Sequence, residues 1–419
     1  LISANRHGGH DKFPILNDSI FADALYSSRT VESRMAAFFD LRKFVAPEFV
    51  FGEGAARLAG QYARNLGARR VLLVSDPGVQ RVGWTGLVEQ SLRAEGLEVS
   101  LFLDVSPNPR DFEVMAGVER YSRDQCDCIV AVGGGSPMDL AKGVGIVSTN
   151  GGHILRFEGA DMVDRPAPPL VCVPTTAGSS ADVSQFAIIN DTARRLKIAI
   201  VSKAVVADAA LIDPVLTTSM NPKLTAETGM DALSHALEAY GSNASSPLTD
   251  LLALSAMARV RTHLLRALAA PGDLEARGEM MLGSLEAGLA FSNAILGAVH
   301  AMAHSLGGFL DLPHGLCNAI LLPHVVDRNF EAAPERYLKA AEALGVSART
   351  PKAARPKLKA ALQDLARQAG LDQDLAGLGV TREQLRGLAR NAAQDPCMTT
   401  NPAALSLGDI EALYEQALG

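Results

Sequence analysis

The chain has 419 residues, with 39 Lys and Arg against 46 Asp and Glu, a formal net charge of -7, and 48% hydrophobic against 20% charged residues. That length predicts two cores rather than one, and the composition is that of a well-buried globular protein. With no basic excess, nucleic acid and anionic membrane surfaces are poor partners.

The five cysteines, Cys126, Cys128, Cys172, Cys317 and Cys397, lack the spacing of a zinc site or a disulfide scaffold, which fits a reducing cytoplasm. Cys126 and Cys128 read as buried thiols. Leu1 to Asp11 is polar and shows no secretory-signal pattern. The most apolar run, Ala294 to Leu312, contains His300, His304 and Asp311 and reads as a buried helix rather than a membrane span.

Residues 1–45 read as a polar leader and an amphipathic helix, Ser19 to Phe44, packing on the main body or on a neighbouring subunit, with His7 and His10 solvated. From 46 to about 220, short apolar runs alternate with helical stretches. Strands are predicted at Val71–Val74, Val99–Val105, Cys128–Val132 and Leu170–Val173, and a further strand and turn, Ala199-Ile200-Val201 through Leu211-Ile212-Asp213-Pro214, close this half. Such alternation predicts a parallel sheet covered by helices, with ligands gathering at the carboxyl ends of its strands.

The turn-rich segments fall at those ends. In Gly133-Gly134-Gly135-Ser136-Pro137-Met138-Asp139 the glycines let the backbone approach a ligand, Ser136 is placed to cap a helix, Pro137 to open it, and Asp139 stands three beyond the cap. Free N–H groups there suit a pyrophosphate. The turn is not the G-x-G-x-x-G fingerprint, so a purely structural role stays open. Asp76 after the first strand is either a ribose-binding carboxylate favouring NAD over NADP or a turn aspartate before Pro77. Thr175, Thr176 and Ser179 add hydroxyls near the same sheet edge.

From 221 to 419 strand signals fade and Ala/Leu-rich helices take over. Residues 346–370 read as a solvated helix face needing no partner. Asp231 and His235 lie four apart on one helical face, His300 and His304 repeat that spacing, and His314 follows Pro313 at a turn able to bring it back. A three-imidazole, one-carboxylate set drawn from these suits Fe(II), Zn(II), Co(II) or Ni(II). Any one of these histidines alone would read as a hydrogen-bonded core or surface imidazole.

From about Phe44 onward the chain resembles the iron-containing, group III metal-dependent alcohol dehydrogenases. The likeness rests on Gly133 to Asp139, on Pro174-Thr175-Thr176-Ala177-Gly178-Ser179, on Gly229-Met230-Asp231-Ala232-Leu233-Ser234-His235, and on His300 to His324. It implies an α/β dinucleotide-binding domain with a parallel sheet, then an all-α domain, in a dehydroquinate synthase-like architecture with boundaries near 45 and 220. It implies metal ligands Asp231, His235, His300 and His314, with His304 unligated beside the reacting groups. Asp76, Asn108, Gly134, Gly135, Ser136, Asp139, Thr175, Thr176, Ser179, Ser184, Lys197 and Leu216 are expected around NAD, and Phe186 and Phe291 at the substrate.

The expected reaction is reversible NAD-linked oxidation of a primary alcohol or diol to an aldehyde, with Fe(II) or alternatively Zn(II), in a homo-oligomer such as a dimer. His304 is the candidate proton relay, since imidazoles exchange protons near neutrality, or else it orients a ligand. The rival readings are a zinc-dependent polyol dehydrogenase or lyase of the same architecture, resembling glycerol dehydrogenase or dehydroquinate synthase, and a catalytically idle sensor. Two departures stand out. The 45-residue leader exceeds the usual family start. In the closing Asp395-Pro396-Cys397-Met398-Thr399-Thr400-Asn401-Pro402 motif, Ala403 follows where arginine is frequent, which is expected to alter the mouth of the cleft.

Overall fold

The computed structural model describes residues 43–419. His7, His10 and nearly all of the helix expected over Ser19 to Phe44 lie outside the described residues.

The strands are β1 (Glu48–Phe51), β2 (Arg70–Val74), β3 (Glu98–Phe102), β4 (Cys128–Gly133), β5 (Gly159–Ala160), β6 (Leu170–Pro174), β7 (Phe186–Asp191), β8 (Leu196–Val201) and β9 (Ala209–Ile212). Six of them form one parallel sheet in the order β1-β9-β6-β4-β2-β3. Both faces of its centre are covered, which is why Val71–Val74 of β2 and the whole of β4 are continuously apolar instead of alternating. Leu72 and Val74 pack on one side with Ile129 and Met138, while Val71 and Leu73 pack on the other with Val88, Leu92 and Val130. Each such leucine contributes roughly 1.5–3 kcal/mol by leaving water.

The expected strand over Val99–Val105 stops at Phe102, short of the Pro107-Asn108-Pro109 corner. A larger difference concerns Ala199–Val201, which belongs to a separate antiparallel hairpin of β7 and β8, joined by β5. This hairpin links the two halves. The Lys142 amine, buried in the helix Gly135–Asn150, donates to the Ser184 and Phe186 carbonyls at 2.8 and 2.7 Å. On the other side β8 lies so close to the helix Ala298–Leu310 that a Cβ at Gly308 would stand 2.6 Å from the Leu196 Cα.

From Pro222 onward the described chain is helical and shares one apolar core centred on the helices Pro222–Gly241, Pro247–Ala269, Leu274–Ala294, Ala298–Leu310 and His314–Asn329. Among the described residues no single helix is long and apolar enough to cross a membrane. All five cysteines are buried and free. The helix Pro351–Gln368 is not the unpartnered face expected, because Arg355 bonds Asp327 and Glu331 on neighbouring segments at 2.8 and 2.5 Å.

Candidate active site

The helix Pro222–Gly241 starts on an Asn221 cap, whose side chain accepts from the Leu224 amide at 2.8 Å, with Pro222 at its first position. It carries Asp231, His235 and Glu238 at steps of four and three, so one buried stripe presents all three. The helix Ala298–Leu310 brings His300 and His304, and His314 opens the next helix directly after Pro313.

These elements converge on one atom. Asp231 Oδ1 lies 3.8 Å from His235 Nε2, 3.6 Å from His300 Nε2 and 3.7 Å from His314 Nε2. The His235 ring stacks on His300 with centroids 4.5 Å apart. On the far side of the rings, His300 Nδ1 sits 2.6 Å from Glu238 Oε2, and His235 Nδ1 sits 3.2 Å from the Gly178 carbonyl. Acceptors at Nδ1 keep the ring proton there and turn the Nε2 lone pairs toward Asp231. Ligand atoms of Asp231, His300 and His314 all lie within 4.8 Å of one another, and with His235 Nε2 beside Asp231 the donor types fit a divalent cation bound by imidazole nitrogens and one carboxylate oxygen.

The charges respond accordingly. Burial alone would raise Asp231, but the His235, His314 and His300 rings hold its carboxyl well below the usual range. Burial pushes His235 down to about 4 and His314 well below an ordinary imidazole. His300 is opposed by burial too, yet the Asp231 and Glu238 carboxylates lift it to about 9.

Two residues of this centre escaped the sequence reading. Glu238 also accepts from the Val299 and His300 amides at 2.7 and 3.3 Å, and its signal was its place on the Asp231–His235 stripe. Asn318 Nδ2 lies 2.7 Å from Asp231 Oδ1, 3.1 Å from His300 Nε2 and 3.2 Å from His314 Nε2. It stands one turn beyond His314 on the same helix face.

His304 lies beside this set. Its ring stacks on His314 at 5.3 Å, and its Nδ1 is 2.8 Å from Asp395 Oδ2 rather than near Asp231.

One continuous cleft of about 850 Å³ runs from the glycine turn to the histidines. Asp76, Asn108, Gly134, Gly135, Ser136, Asp139, Thr175, Thr176, Ser179, Ser184 and Lys197 line it together with Phe186, Phe291, Asp231, His235, His300, His304 and His314. Leu216 does not: it is 1% exposed and packs in the core beneath the sheet with Val71 and Val173. Ala403 is buried, and its carbonyl accepts from Asn401 at 2.8 Å.

Local detail on the nucleotide side departs from expectation at the helix start. The helix begins at Gly135 with Gly134 at its cap position, so Ser136 caps nothing and Pro137 is the third helical residue. The first-turn N–H groups thus carry no side-chain cap. Gly133, at φ +152°, has no room for a Cβ, which would meet Pro137 at 2.6 Å. Asp76 does cap a short helix, Oδ1 accepting from Gly78 and Val79 at 2.7 and 3.0 Å. Asn108 spends its amide on Asp311 at 2.9 Å, across the cleft. Burial pushes the Asp139 carboxyl up to about 7 despite the pull of Lys142.

Residues 46–214 match the family described as iron-containing alcohol dehydrogenase, and residues 225–418 match its C-terminal part. The chain is 37% identical over 377 residues to the NAD-dependent methanol dehydrogenase of Bacillus methanolicus, covering 90% of this chain and 99% of that one. It is 40% identical over 372 residues to the 1,3-propanediol dehydrogenase of Klebsiella pneumoniae, covering 88% and 96%. A crystal structure of 1,3-propanediol oxidoreductase superposes with a TM-score of 0.87 at 39% identity, covering 90% of this chain and all of that one. The chain therefore belongs to the iron-containing alcohol dehydrogenase family, and it is an alcohol dehydrogenase.

Proposed function

We propose that the chain moves a hydride between a short primary alcohol or diol and NAD, with Fe(II) held by Asp231, His235, His300 and His314. The observation that carries this reading is the convergence of three imidazole Nε2 atoms on Asp231 Oδ1 within the cleft that also holds the glycine turn. The named relatives act on methanol and 1,3-propanediol, and the first is NAD-dependent. Residues 46–220 would form the dinucleotide-binding domain and 221–419 the metal-binding one.

A divalent cation supplies Lewis acidity toward the alcohol oxygen, and NAD accepts the hydride. The chain's own residues do the rest. Glu238 and the Gly178 carbonyl fix the ligand rings. The N-terminal turn of the helix Gly135–Asn150 offers its uncapped N–H groups to the pyrophosphate. The Asp76 carboxylate, with Oδ1 turned to its helix, keeps Oδ2 for the adenosine ribose. Phe186 and Phe291, with ring centroids 5.8 Å apart, and the Phe291–His235 stack at 4.4 Å make a narrow apolar wall that suits a small substrate. His304 takes the alcohol proton.

The test is NADH formation from a panel of short alcohols and diols by anaerobically iron-loaded protein. The reading expects turnover that chelation removes and iron restores. Full metal occupancy with no NADH from any of them would contradict it. Zinc restoring more activity than iron would replace the metal but keep the reaction.

A further inference from the structure

The closing motif, not otherwise used by the site, ends against His304. Asp395 precedes the short turn Pro396–Thr400, and each of its oxygens has its own partner. Oδ1 accepts from the Cys397 amide at 2.8 Å, and Oδ2 faces His304 Nδ1 at 2.8 Å. Both side chains are only 7% exposed. Cys397 and His304 line the cleft. Burial alone would raise the Asp395 carboxyl, but the His304 ring and the bonds from Cys397 hold it below its ordinary value. Burial, then Asp395 itself, pushes the Cys397 thiol well up, so the sulfur keeps its proton. His304, Asp395 and Cys397 are also a donor set of zinc type. Here, however, Oδ1 already accepts from the Cys397 amide and Oδ2 faces the His304 ring nitrogen, which favours an orienting role over a second cation.

We propose that Asp395 is a positioning residue for proton transfer: it holds the His304 ring with its proton on Nδ1, leaving a bare Nε2 toward the reacting alcohol. The inference rests on the reading of the cleft given above. The alcohol O–H bond breaks and its proton goes to Nε2, the electron pair staying on oxygen. The Nδ1 proton remains on the ring, held toward the Asp395 carboxylate. Nε2 then gives its proton to water and the ring returns to its first state. A neutral ring in the other tautomer would present N–H to the alcohol and accept nothing.

Asp395→Asn tests this with little change of shape. Its amide oxygen would stay on the Cys397 amide, and its NH₂ would face His304 Nδ1, which then must accept, moving the ring proton to Nε2. In zinc-loaded full-length protein with ¹⁵N-labelled histidine, the His304 signals are those missing from His304→Gln. They should report bare Nε2 in the wild type and protonated Nε2 in Asp395→Asn.

Single-turnover NADH formation by iron-loaded Asp395→Asn should fall on the order of 10²–10⁴-fold, the usual worth of general acid–base catalysis, with alcohol KM and metal content unchanged. In the His304→Gln background, Asp395→Asn should cost no further rate. A proton on Nε2 in the wild-type spectrum overturns the proposal whether or not the variant folds. So does an equal rate loss in both backgrounds, or a loss that tracks lost metal. No turnover by the wild type would overturn the functional reading as well, whereas equal turnover by wild type and Asp395→Asn overturns this proposal alone.

Discussion

The two sides of the cleft are built from different materials. On the helical side, Asp231, His235, His300 and His314 reach one point as side chains whose helical spacing aims them there. On the sheet side the wall is mainly backbone and small residues: Gly133 without room for a Cβ, Gly134 and Gly135 at an uncapped helix start, and Thr175, Thr176 and Ser179 at the end of β6. A side-chain site fails abruptly when one donor goes, whereas a backbone site degrades by steps.

The largest expected effect is therefore on the helical side. His314→Ala removes one of the four proposed donors, and metal retention and turnover should be lost together; normal turnover would take His314 out of the centre. Glu238→Ala is expected to be milder. It frees the His300 ring and leaves Val299 and His300 amides without their acceptor, so metal affinity should drop roughly 10–100-fold in a chelator competition. An unchanged affinity would confine Glu238 to helix packing.

On the sheet side, Asp76→Ala should raise the NADP-to-NAD ratio of kcat/KM by roughly tenfold or more, from loss of a charge-assisted hydrogen bond and of repulsion. The same change removes the cap on Gly78 and Val79 and should cost about 1 kcal/mol of stability in urea unfolding. A stability loss without a change of cofactor ratio would leave Asp76 as a cap alone.

The smallest effect is a proton count. At pH 7 in the metal-free chain, His300, raised to about 9, carries an extra proton, while His235 at about 4 and His314 are neutral and Asp231 is ionised. Metal uptake at pH 7 should release about one proton, and fewer as the pH rises past 9. Calorimetry in two buffers of different ionisation heat reads it, and no release would contradict the charge assignment.

The same contrast explains what was legible in the sequence. Val71–Val74 and Cys128–Val132 announced a doubly covered sheet through unbroken apolar character, and the i, i+4 pairs announced the centre because helix geometry is fixed by spacing. The β7–β8 hairpin was missed because antiparallel pairing depends on a partner that local periodicity does not name. Ser136 looked like a cap because capping residues are read by type, yet the cap position falls two residues earlier, on Gly134. Glu238 was within reach through its stripe. Asp395 was not, since it lies 91 positions from His304 and only the fold brings them together. Leu216, carried over by resemblance, turned out to be core.

X-ray absorption at the metal edge of the anaerobically iron-loaded protein tests the central claim most directly. The account predicts a shell of three imidazole nitrogens and a carboxylate oxygen at roughly 2.0–2.2 Å, reduced by one imidazole in His300→Ala. A sulfur-containing or all-oxygen shell, or a spectrum that His300→Ala leaves untouched, would contradict it.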